Sequence, residues 1–361
     1  MFSVIRPFLF NLDPETAHDL AIKSLKFDFI PEKFFKVENE EMLETTFLKR
    51  RIKNPIGLAA GFDKSAEVYR SLWKLGFGLI EVGTITPKKQ SGSSKPRIFR
   101  LEEDEALINR LGFNNDGLEV AIERLKTGTP SLEGVLGVNI GPNYDSSSYA
   151  HDFIKCLFNI MKNMSADYVT INISSPNTEN LRDFHNEEKL ESLMKDINKL
   201  KREPINVLNV KKEIVDLPVF LKISPDIDDS SVEKISEIII NQKINGVILT
   251  NTSNVNRSLL KSSDKHQIGG LSGKPIRELS TGLIKKFYKK LKGKAYIIGV
   301  GGVDSGKSAF EKIAAGANTV QLYTGMIYKG PGIVKEIKKE LIQILKAEGM
   351  KNIQEVVGKG I

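Results

Sequence analysis

The stretch that decides the fold is Asp167-Tyr168-Val169-Thr170-Ile171-Asn172-Ile173-Ser174-Ser175-Pro176-Asn177-Thr178. Its first half is rich in β-branched and aromatic residues, as expected of a strand. Pro176 has no N–H group and a fixed φ, so the strand cannot continue and a shaped loop must follow. Taken alone, the loop is either an ordinary Ser/Asn/Pro turn or a ligand site that uses Asn172, Ser175 and Asn177. The rest of the chain has to decide between these readings.

Apolar runs of strand length alternate with amphipathic helical stretches from Asn54 onward. The predicted strands are Ile56–Ala60, Leu79–Gly83, Val135–Ile140, Tyr168–Ile173, Val219–Ile223, Gly246–Thr250, Tyr296–Val300 and Thr319–Tyr323. The predicted helices are Ser65–Leu75, Gly117–Leu125, Ser148–Asn163, Asn186–Leu200, Ser230–Lys243, Thr281–Lys292, Ser305–Ala315 and Pro331–Leu345. Eight such units predict an α/β fold of the (β/α)8 TIM-barrel type, with an open doubly wound sheet as the alternative.

Composition narrows the class of protein and of partner. The chain has 361 residues, of which 40% are hydrophobic and 27% charged, as in globular proteins that bury a full core. The net charge of +8 favours an anionic partner, namely nucleic acid, an acidic membrane surface or an anionic substrate. We expect no nucleic-acid partner because the lysines are scattered and no RNA- or DNA-binding motif occurs. The single cysteine, Cys156, lies in a predicted helix and is interpreted as a buried structural thiol in a reducing compartment.

The first 45 residues predict a small helical segment ahead of a barrel at 46–361. Asp13 can cap a helix that has Pro14 at its first position. Ala17, Leu20, Ala21 and Leu25 would form its apolar face, opposite Glu15, Asp19 and Lys23. The apolar start of the chain is too short to span a membrane and lacks a signal-peptide cleavage site. Short helices with phenylalanines beside lysines indicate either packing on the barrel or a patch that enters the membrane interface.

Strand ends are where barrel active sites lie, and here they carry an unusual set of side chains. Lys64 and Lys222 lie at strand ends, where a buried lysine requires an anion. The amides Asn109, Asn139, Asn172, Asn177 and Asn251 suit a planar ligand with C=O and N–H edges, such as a pyrimidine. Gly301-Gly302 and Tyr323-Thr324-Gly325 follow the last two strands, a recurrent location of phosphate sites. We expect no metal site, paired carboxylates or Ser-His-Asp triad at these ends.

Together these motifs resemble the dihydroorotate dehydrogenase family over nearly the whole chain. The resemblance is carried by six motifs and by Asp13-Pro14-Glu15. The motifs are Asn54–Lys64, Gly83–Pro87 with Lys95-Pro96-Arg97, Asn109–Asn114, Asn172–Thr178, Gly270–Gly273 and Gly299–Gly302. A serine in the catalytic loop, where class 1 members have cysteine, and the N-terminal helical extension resemble the class 2, quinone-dependent branch.

The resemblance implies a role for each of these residues. It implies one FMN per subunit, and the cofactor-binding residues would be Ala60, Gly61, Phe62, Asp63, Lys64, Thr84, Asn139, Asn172, Lys222, Thr250, Gly273, Gly302, Tyr323 and Thr324. The substrate-binding residues would be Lys64, Asn109, Arg110, Leu111, Gly112, Phe113, Asn172, Asn177, Asn251 and Thr252. Ser175 would be the catalytic base toward dihydroorotate, with Thr178 and Phe113 as neighbours that help it, and Lys222 would stabilise negative charge on the reduced cofactor.

The resemblance also implies the partners and the location. Dihydroorotate would be oxidised to orotate in pyrimidine biosynthesis, and a membrane quinone would take the electrons between the N-terminal helices. The protein would be a monomer held peripherally at the cytoplasmic side of a bacterial inner membrane. The alternatives are a class 1-like flavin barrel that passes electrons to fumarate or NAD, a phosphosugar-binding barrel without redox chemistry, and a non-catalytic membrane adaptor. The lysine-rich stretch 202–215 has no assigned role.

Overall fold

The computed structural model describes residues 2–126, 134–178, 180–202, 217–255 and 257–361. The predicted lysine-rich surface stretch at 202–215 lies, apart from Arg202, outside the described residues. In chain order the strands are β1 (Thr45–Phe47), β2 (Arg50–Ile52), β3 (Ile56–Leu58), β4 (Leu79–Ile85), β5 (Ile98–Leu101), β6 (Ala106–Asn109), β7 (Val135–Ile140), β8 (Tyr168–Asn172), β9 (Val219–Ile223), β10 (Gly246–Leu249), β11 (Gly270–Gly273), β12 (Tyr296–Val300) and β13 (Thr319–Leu322).

Eight of these strands form a closed parallel barrel in the order β3-β4-β7-β8-β9-β10-β12-β13. The last strand pairs with the first, Val320 opposite Ile56, which closes the sheet. The TIM-barrel prediction is therefore confirmed, and the open-sheet alternative is wrong. All eight predicted strands are found, and they are buried throughout or nearly so, as parallel strands covered by helices must be.

The helices are α1 (Phe2–Phe10), α2 (Pro14–Lys26), α3 (Tyr69–Trp73), α4 (Leu118–Lys126), α5 (Tyr149–Asn163), α6 (Glu187–Arg202), α7 (Asp229–Asn241), α8 (Arg277–Leu291), α9 (Gly306–Ala314), α10 (Thr324–Lys329) and α11 (Ile333–Ala347). Two predicted starts are wrong. Residues 65–68 form turns, so α3 starts four residues late, and α8 starts at Arg277 because it continues directly from the 3-10 turn Lys274–Ile276. Cys156 is fully buried in α5, as predicted, and burial raises the pKa of its thiol.

The bottom of the barrel is closed by the hairpin β1-β2, which the sequence did not predict. Phe47 of β1 packs against the rings of Tyr168, Phe220 and Tyr296 at centroid distances of 5.1–6.5 Å. The predicted boundary between residues 45 and 46 falls inside β1.

The N-terminal helix α2 begins as predicted but turns a different face inward. Asp13 accepts hydrogen bonds from the backbone N–H groups of Glu15 and Thr16 at 3.1 and 2.9 Å. Glu15, which lies on the polar face in the sequence pattern, is buried against the Arg97 guanidinium with an Nε–Oε2 distance of 3.1 Å. Leu20, on the predicted apolar face, is 42% exposed. The buried ion pair therefore fixes the rotation of the helix.

A second sheet, β5-β6-β11, was missed from the sequence and lies against the mouth of the barrel. It is antiparallel, with Asn109 opposite both Ile98 and Gly270. The helix α2 packs against β5, so the sheet holds the N-terminal segment at the edge of the barrel mouth. Within the ranges given above, no helix is both long enough and apolar enough to cross a membrane.

Candidate active site

A cleft of about 1140 Å³, open to solvent, lies at the carboxyl ends of the barrel strands. It collects nineteen of the residues predicted for the site. These are Ala60, Gly61, Lys64, Thr84, Asn109, Leu111, Gly112, Phe113, Asn172, Ser175, Asn177, Lys222, Thr250, Asn251, Thr252, Gly273, Gly302, Tyr323 and Thr324. Residues from seven of the eight strand ends converge in this cleft, which favours the ligand-site interpretation of residues 172–178 over an ordinary turn.

Ser175 stands at the wall of this cleft on the loop after β8. The Thr178 hydroxyl lies 3.5 Å from Ser175 Oγ, and the backbone N–H of Asn177 donates to the same oxygen at 3.3 Å. Ser175 is only 5% exposed, so water has little access to its hydroxyl except through the cleft. The Ser175 hydroxyl is therefore shielded from bulk water and lies beside the Thr178 hydroxyl.

Three amide side chains around Ser175 are held in place by hydrogen bonds. Asn251 Nδ2 donates to Ser174 Oγ at 3.0 Å, and Asn172 Nδ2 donates to Thr84 Oγ1 at 3.1 Å. Asn177 Nδ2 donates to the backbone oxygen of Asn109 at 3.2 Å. Since each amide has further donor and acceptor capacity, the group can bind the edges of a planar heterocycle without rearrangement.

Arg182, which follows this loop, ties it to the loop after β9 by a partly buried ion pair and to the loop after β10 by a hydrogen bond. Arg182 Nη1 lies 3.2 Å from Asp226 Oδ2. The same guanidinium donates to the backbone oxygens of Ser174 and Thr252 at 3.4 and 3.3 Å. Arg182 therefore couples the serine loop to the amide loop.

Lys64 lies in the cleft beside a residue of the N-terminal helix α2. Its Nζ is 3.4 Å from His18 Nε2. Burial lowers the pKa of Lys64 to about 8, and burial together with the Lys64 charge lowers the pKa of His18 to about 3. At pH 7 the lysine is therefore charged and the imidazole neutral, so Nε2 can accept its hydrogen bond. An anion in the cleft would give Lys64 the counter-charge that its burial demands.

Lys222 projects from β9 and is 5% exposed. Its Nζ lies 3.9 Å from Oε1 of Glu81, which is fully buried on β4. Burial lowers the pKa of Lys222, and the Glu81 carboxylate opposes that shift. This burial next to Glu81 supports the prediction that Lys222 lies in the barrel interior rather than on the surface.

A glycine-rich wall also lines the cleft. Gly273 and Gly302 have φ values of +98° and +72°, a conformation that favours glycine. A Cβ at Gly302 would lie 2.6 Å from the Cβ of Arg277, and one at Gly273 would lie 2.9 Å from Thr324 Cγ2. The hydroxyls of Ser272 and Thr324 are 2.9 Å apart beside them. Such a wall lets a phosphate contact the backbone closely.

Four predicted site residues do not line the cleft. Asp63 is buried and accepts the backbone N–H groups of Glu67 and Val68, and Phe62 packs edge-on against His18. Asn139 accepts from Thr84 Oγ1 at 2.6 Å and so supports the cleft from beneath. Arg110 points away and donates to the backbone oxygens of Pro96 and Ile268.

Sequence reasoning also missed residues that the structure brings to the site. Ile98 and Leu107 form an apolar flank next to α2, and the Oδ1 atom of Asn114 is buried without a hydrogen-bond partner in the described part of the chain. Ile98 and Leu107 belong to the unpredicted sheet, and Glu81 and His18 lie inside elements rather than at strand ends. No hydrophobic periodicity or sequence motif distinguishes these last four residues.

Comparison with known proteins identifies the family of this site. The family model for dihydroorotate dehydrogenase matches residues 42–345. The chain belongs to the dihydroorotate dehydrogenase family. The motifs of the cleft, from Asn54 to Gly325, all lie within the matched range.

Relatives in this family match almost the whole chain. A dihydroorotate dehydrogenase (quinone) of Bartonella tribocorum is 44% identical and covers 97% of this chain and 94% of the relative. The protein of the same name from Agrobacterium fabrum is 42% identical over 98% of this chain and 94% of the relative. A crystal structure of DHODH from Eimeria tenella in complex with ferulenol has a TM-score of 0.88 and 36% identity, covering 96% of this chain and 95% of that one.

Proposed function

We propose that this chain is a quinone-dependent dihydroorotate dehydrogenase, which oxidises dihydroorotate to orotate in the synthesis of UMP. The observation that carries the proposal is one cleft that joins Ser175, the amide group, Lys64 and Lys222 to a glycine-rich wall. Near-complete coverage by relatives named for this activity supports it. A phosphosugar isomerase would use the glycine-rich wall but would leave the amides and Lys222 without a ligand.

The cofactor that fits the cleft is FMN, one per subunit. The small residues Ala60 and Gly61 leave room for a flat ring above the barrel, and a Cβ at Gly61 would meet only the Tyr323 ring, at 3.6 Å. Gly273, Gly302, Tyr323 and Thr324 would hold the phosphate, and Thr84, Asn172, Lys222 and Thr250 the ring and its side chain. Phe62, Asp63 and Asn139 would support these groups from behind. When bound, the flavin supplies a hydride acceptor.

The test of this cofactor is direct. The purified protein should be yellow, and acid should release one FMN, identified by mass, per chain. Release of FAD, or a colourless and active protein, would contradict the assignment.

The substrate would lie between the flavin and the serine loop. Lys64 would pair with its carboxylate, and Asn109, Asn172, Asn177, Asn251 and Thr252 would bind the edges of its ring. Leu111, Gly112 and Phe113 would complete the wall, and Arg110 would hold that wall in place through its contacts to Pro96 and Ile268. Ser175 would take the proton from C5 as the hydride leaves C6, and would pass a proton to Thr178.

Orotate affinity should depend on pH through Lys64. The pKa of Lys64 is about 8, so the lysine carries its charge below pH 8 and loses it above. The dissociation constant of orotate should be flat from pH 6.5 to 7.5 and then rise, approaching about tenfold per pH unit. Titration calorimetry would measure it. Lys64→Met should bind weakly at every pH in this range. An unchanged affinity from pH 7 to 9 in the unaltered protein would contradict the role of Lys64.

Electrons would leave the site past the apolar flank and between α1 and α2. Ile98 and Leu107 line the cleft on the side where α2 packs against β5. Arg100 Nη1 donates to the backbone oxygens of Phe10 and Leu12 at 3.0 and 2.9 Å, so it holds the junction of the two helices against the sheet. An apolar path suits a quinone ring, whereas NAD would require charged contacts.

The N-terminal segment, residues 2–43, would rest on the cytoplasmic side of the bacterial inner membrane. Phe8 and Phe29 are 73% and 90% exposed, and Val4, Phe27 and Phe34 are exposed as well. Lys23, Lys26, Lys33 and Lys36 lie among them and suit anionic headgroups. The other end of the segment is fixed to the barrel by Lys338 Nζ, which donates to the backbone oxygen of Phe35 at 2.8 Å.

Vesicle binding would test this placement. The double change Phe8→Ser and Phe29→Ser should weaken co-sedimentation with anionic vesicles, because it removes the two most exposed rings of this segment. Leu259→Ser is the matched control, since Leu259 is 92% exposed on the barrel. Equal loss in both variants would contradict a membrane role for the segment.

That the protein is a monomer stays a prediction.

A further inference from the structure

Glu81 is a buried carboxylate inside the barrel, one layer below the cleft. It lies in the middle of β4 and its side chain has no exposure to solvent. Four side chains donate to its two oxygens. Asn139 Nδ2 donates to Oε1 at 2.8 Å, and Tyr168 OH, Thr170 Oγ1 and Gln321 Nε2 donate to Oε2 at 2.9, 3.2 and 3.2 Å. An ionised carboxylate only accepts hydrogen bonds, so this ring of donors matches its charged form.

The neighbouring cation is Lys222. Its Nζ lies 3.9 Å from Glu81 Oε1, close enough for an ion pair but not for a strong hydrogen bond. The pairing leaves the N–H groups of Lys222 free to point upward into the cleft, which the lysine lines. Within the part of the chain that the structure describes, Glu81 is the one charged group that raises the pKa of Lys222.

Burial makes the charge of Lys222 dependent on that partner. Desolvation lowers the pKa of a buried lysine, and removing one partner of a buried ion pair leaves an uncompensated charge. Such a lysine sheds its proton rather than remain charged. Without Glu81, the amine under the cleft would therefore become neutral within an ordinary range of pH.

We propose that Glu81 is a positioning residue that keeps Lys222 protonated beneath the flavin, and that this ion pair raises the reduction potential of the bound cofactor. The inference rests on the proposed flavin site. A fixed positive charge next to the ring favours the form that has taken up electrons, and Glu81 sustains that charge without contacting the ring.

The experiment measures the flavin midpoint potential of the holoenzyme from pH 6 to 9 in Glu81→Gln, Lys222→Met and the double variant. Gln keeps the shape of Glu81 but removes its charge. We expect Glu81→Gln to match the unaltered protein near pH 6 and to approach Lys222→Met at pH 9. A tenfold fall in the equilibrium constant for reducing the flavin lowers the midpoint potential by ~30 mV for a two-electron couple, which is readily measured. In the Lys222→Met background, Glu81→Gln should change nothing further.

Two outcomes would overturn the proposal. A potential that rises at every pH would mean that Lys222 keeps its proton without Glu81. An equal shift with and without Lys222 would mean that Glu81 acts on the ring by its own charge. Tyr168, the other titratable group facing Glu81, has a pKa raised by burial well above its ordinary value, so it stays neutral throughout.

Controls separate this effect from damage to the fold. Thr319→Val makes a near-isosteric change at a fully buried residue of β13 without removing a charge, and it should leave the potential unchanged. If Glu81→Gln does not fold, Glu81→Asp can replace it, because Asp keeps the negative charge but holds it farther from Lys222. The midpoint potential of Glu81→Asp should then fall partially at pH 9. No fall in the potential would count against the proposal. Failure of the flavin assignment would be distinct, because the unaltered protein would then carry no flavin.

Discussion

Ser175→Ala should retain flavin but slow its reduction by dihydroorotate by about 10²–10⁴-fold, the usual contribution of a positioned general base. Ser175 lines the cleft, and the hydroxyl of Thr178 lies 3.5 Å from its Oγ. Anaerobic stopped-flow absorbance of the flavin measures this step alone, without the quinone reaction.

The matched control is Ser174→Ala. Ser174 is fully buried next to Ser175 but does not line the cleft, and its hydroxyl holds the Asn172 and Asn251 amides. This variant should weaken substrate binding and change the limiting rate far less. Near-normal flavin reduction in Ser175→Ala at neutral pH would remove Ser175 from the role of base.

Deletion of residues 1–30 should abolish most quinone reduction while flavin reduction by dihydroorotate persists. The deletion removes α1 and α2, which would flank the quinone path, but leaves the serine loop and the amides in place. The two half-reactions are measured separately, with dihydroorotate under anaerobic conditions and with quinone added to the reduced protein. Equal loss of both half-reactions would contradict a quinone path between these helices.

A full-length variant guards against an indirect effect, because the deletion leaves Arg97 buried without Glu15. Arg100→Ala keeps that pair and releases only the junction of α1 and α2 from the sheet. It should slow the quinone half-reaction selectively. Lys274→Ala, which removes an exposed ion pair with Glu105 near the same sheet, should slow neither half-reaction.

The barrel could be predicted because its signals are local. Each parallel strand is a short continuous apolar run, buried on both faces, and each is followed by a helix. Three of these helices, α5, α7 and α9, start at a side chain that caps them. The capping box of α9, for example, joins Ser305 and Ser308, which lie three residues apart. Strand ends then place Lys64, Asn172, Lys222 and Asn251 at one mouth through topology alone.

What the sequence could not predict depends on pairs that are far apart along the chain. The strand Gly270–Gly273 has the composition of a loop and becomes a strand because it pairs with Ala106–Asn109. Glu15 lies on the polar face of α2 in the sequence pattern, but it is buried because it pairs with Arg97. The role of Glu81 could not be predicted for the same reason, since it depends on Lys222 and on four hydrogen-bond donors from three other strands.

Residues that are adjacent in the sequence do not all face the cleft, and two predicted site residues were misplaced for this reason. Phe62 and Asp63 follow the first barrel strand directly, as Lys64 does, but the chain turns there and their side chains point away from the cleft. Asp63 caps the backbone of the next turn instead. A motif therefore fixes which segment reaches the cleft but not which of its side chains faces the ligand.

The central claim is that one cleft takes electrons from dihydroorotate and passes them to a quinone. The most direct test mixes the purified protein anaerobically with dihydroorotate and then, in parallel, with a quinone, fumarate or NAD. We predict that the flavin absorbance bleaches on the first mixing and returns rapidly only with the quinone. Flavin that does not bleach, or that is reoxidised by fumarate or NAD as fast as by quinone, would contradict the account.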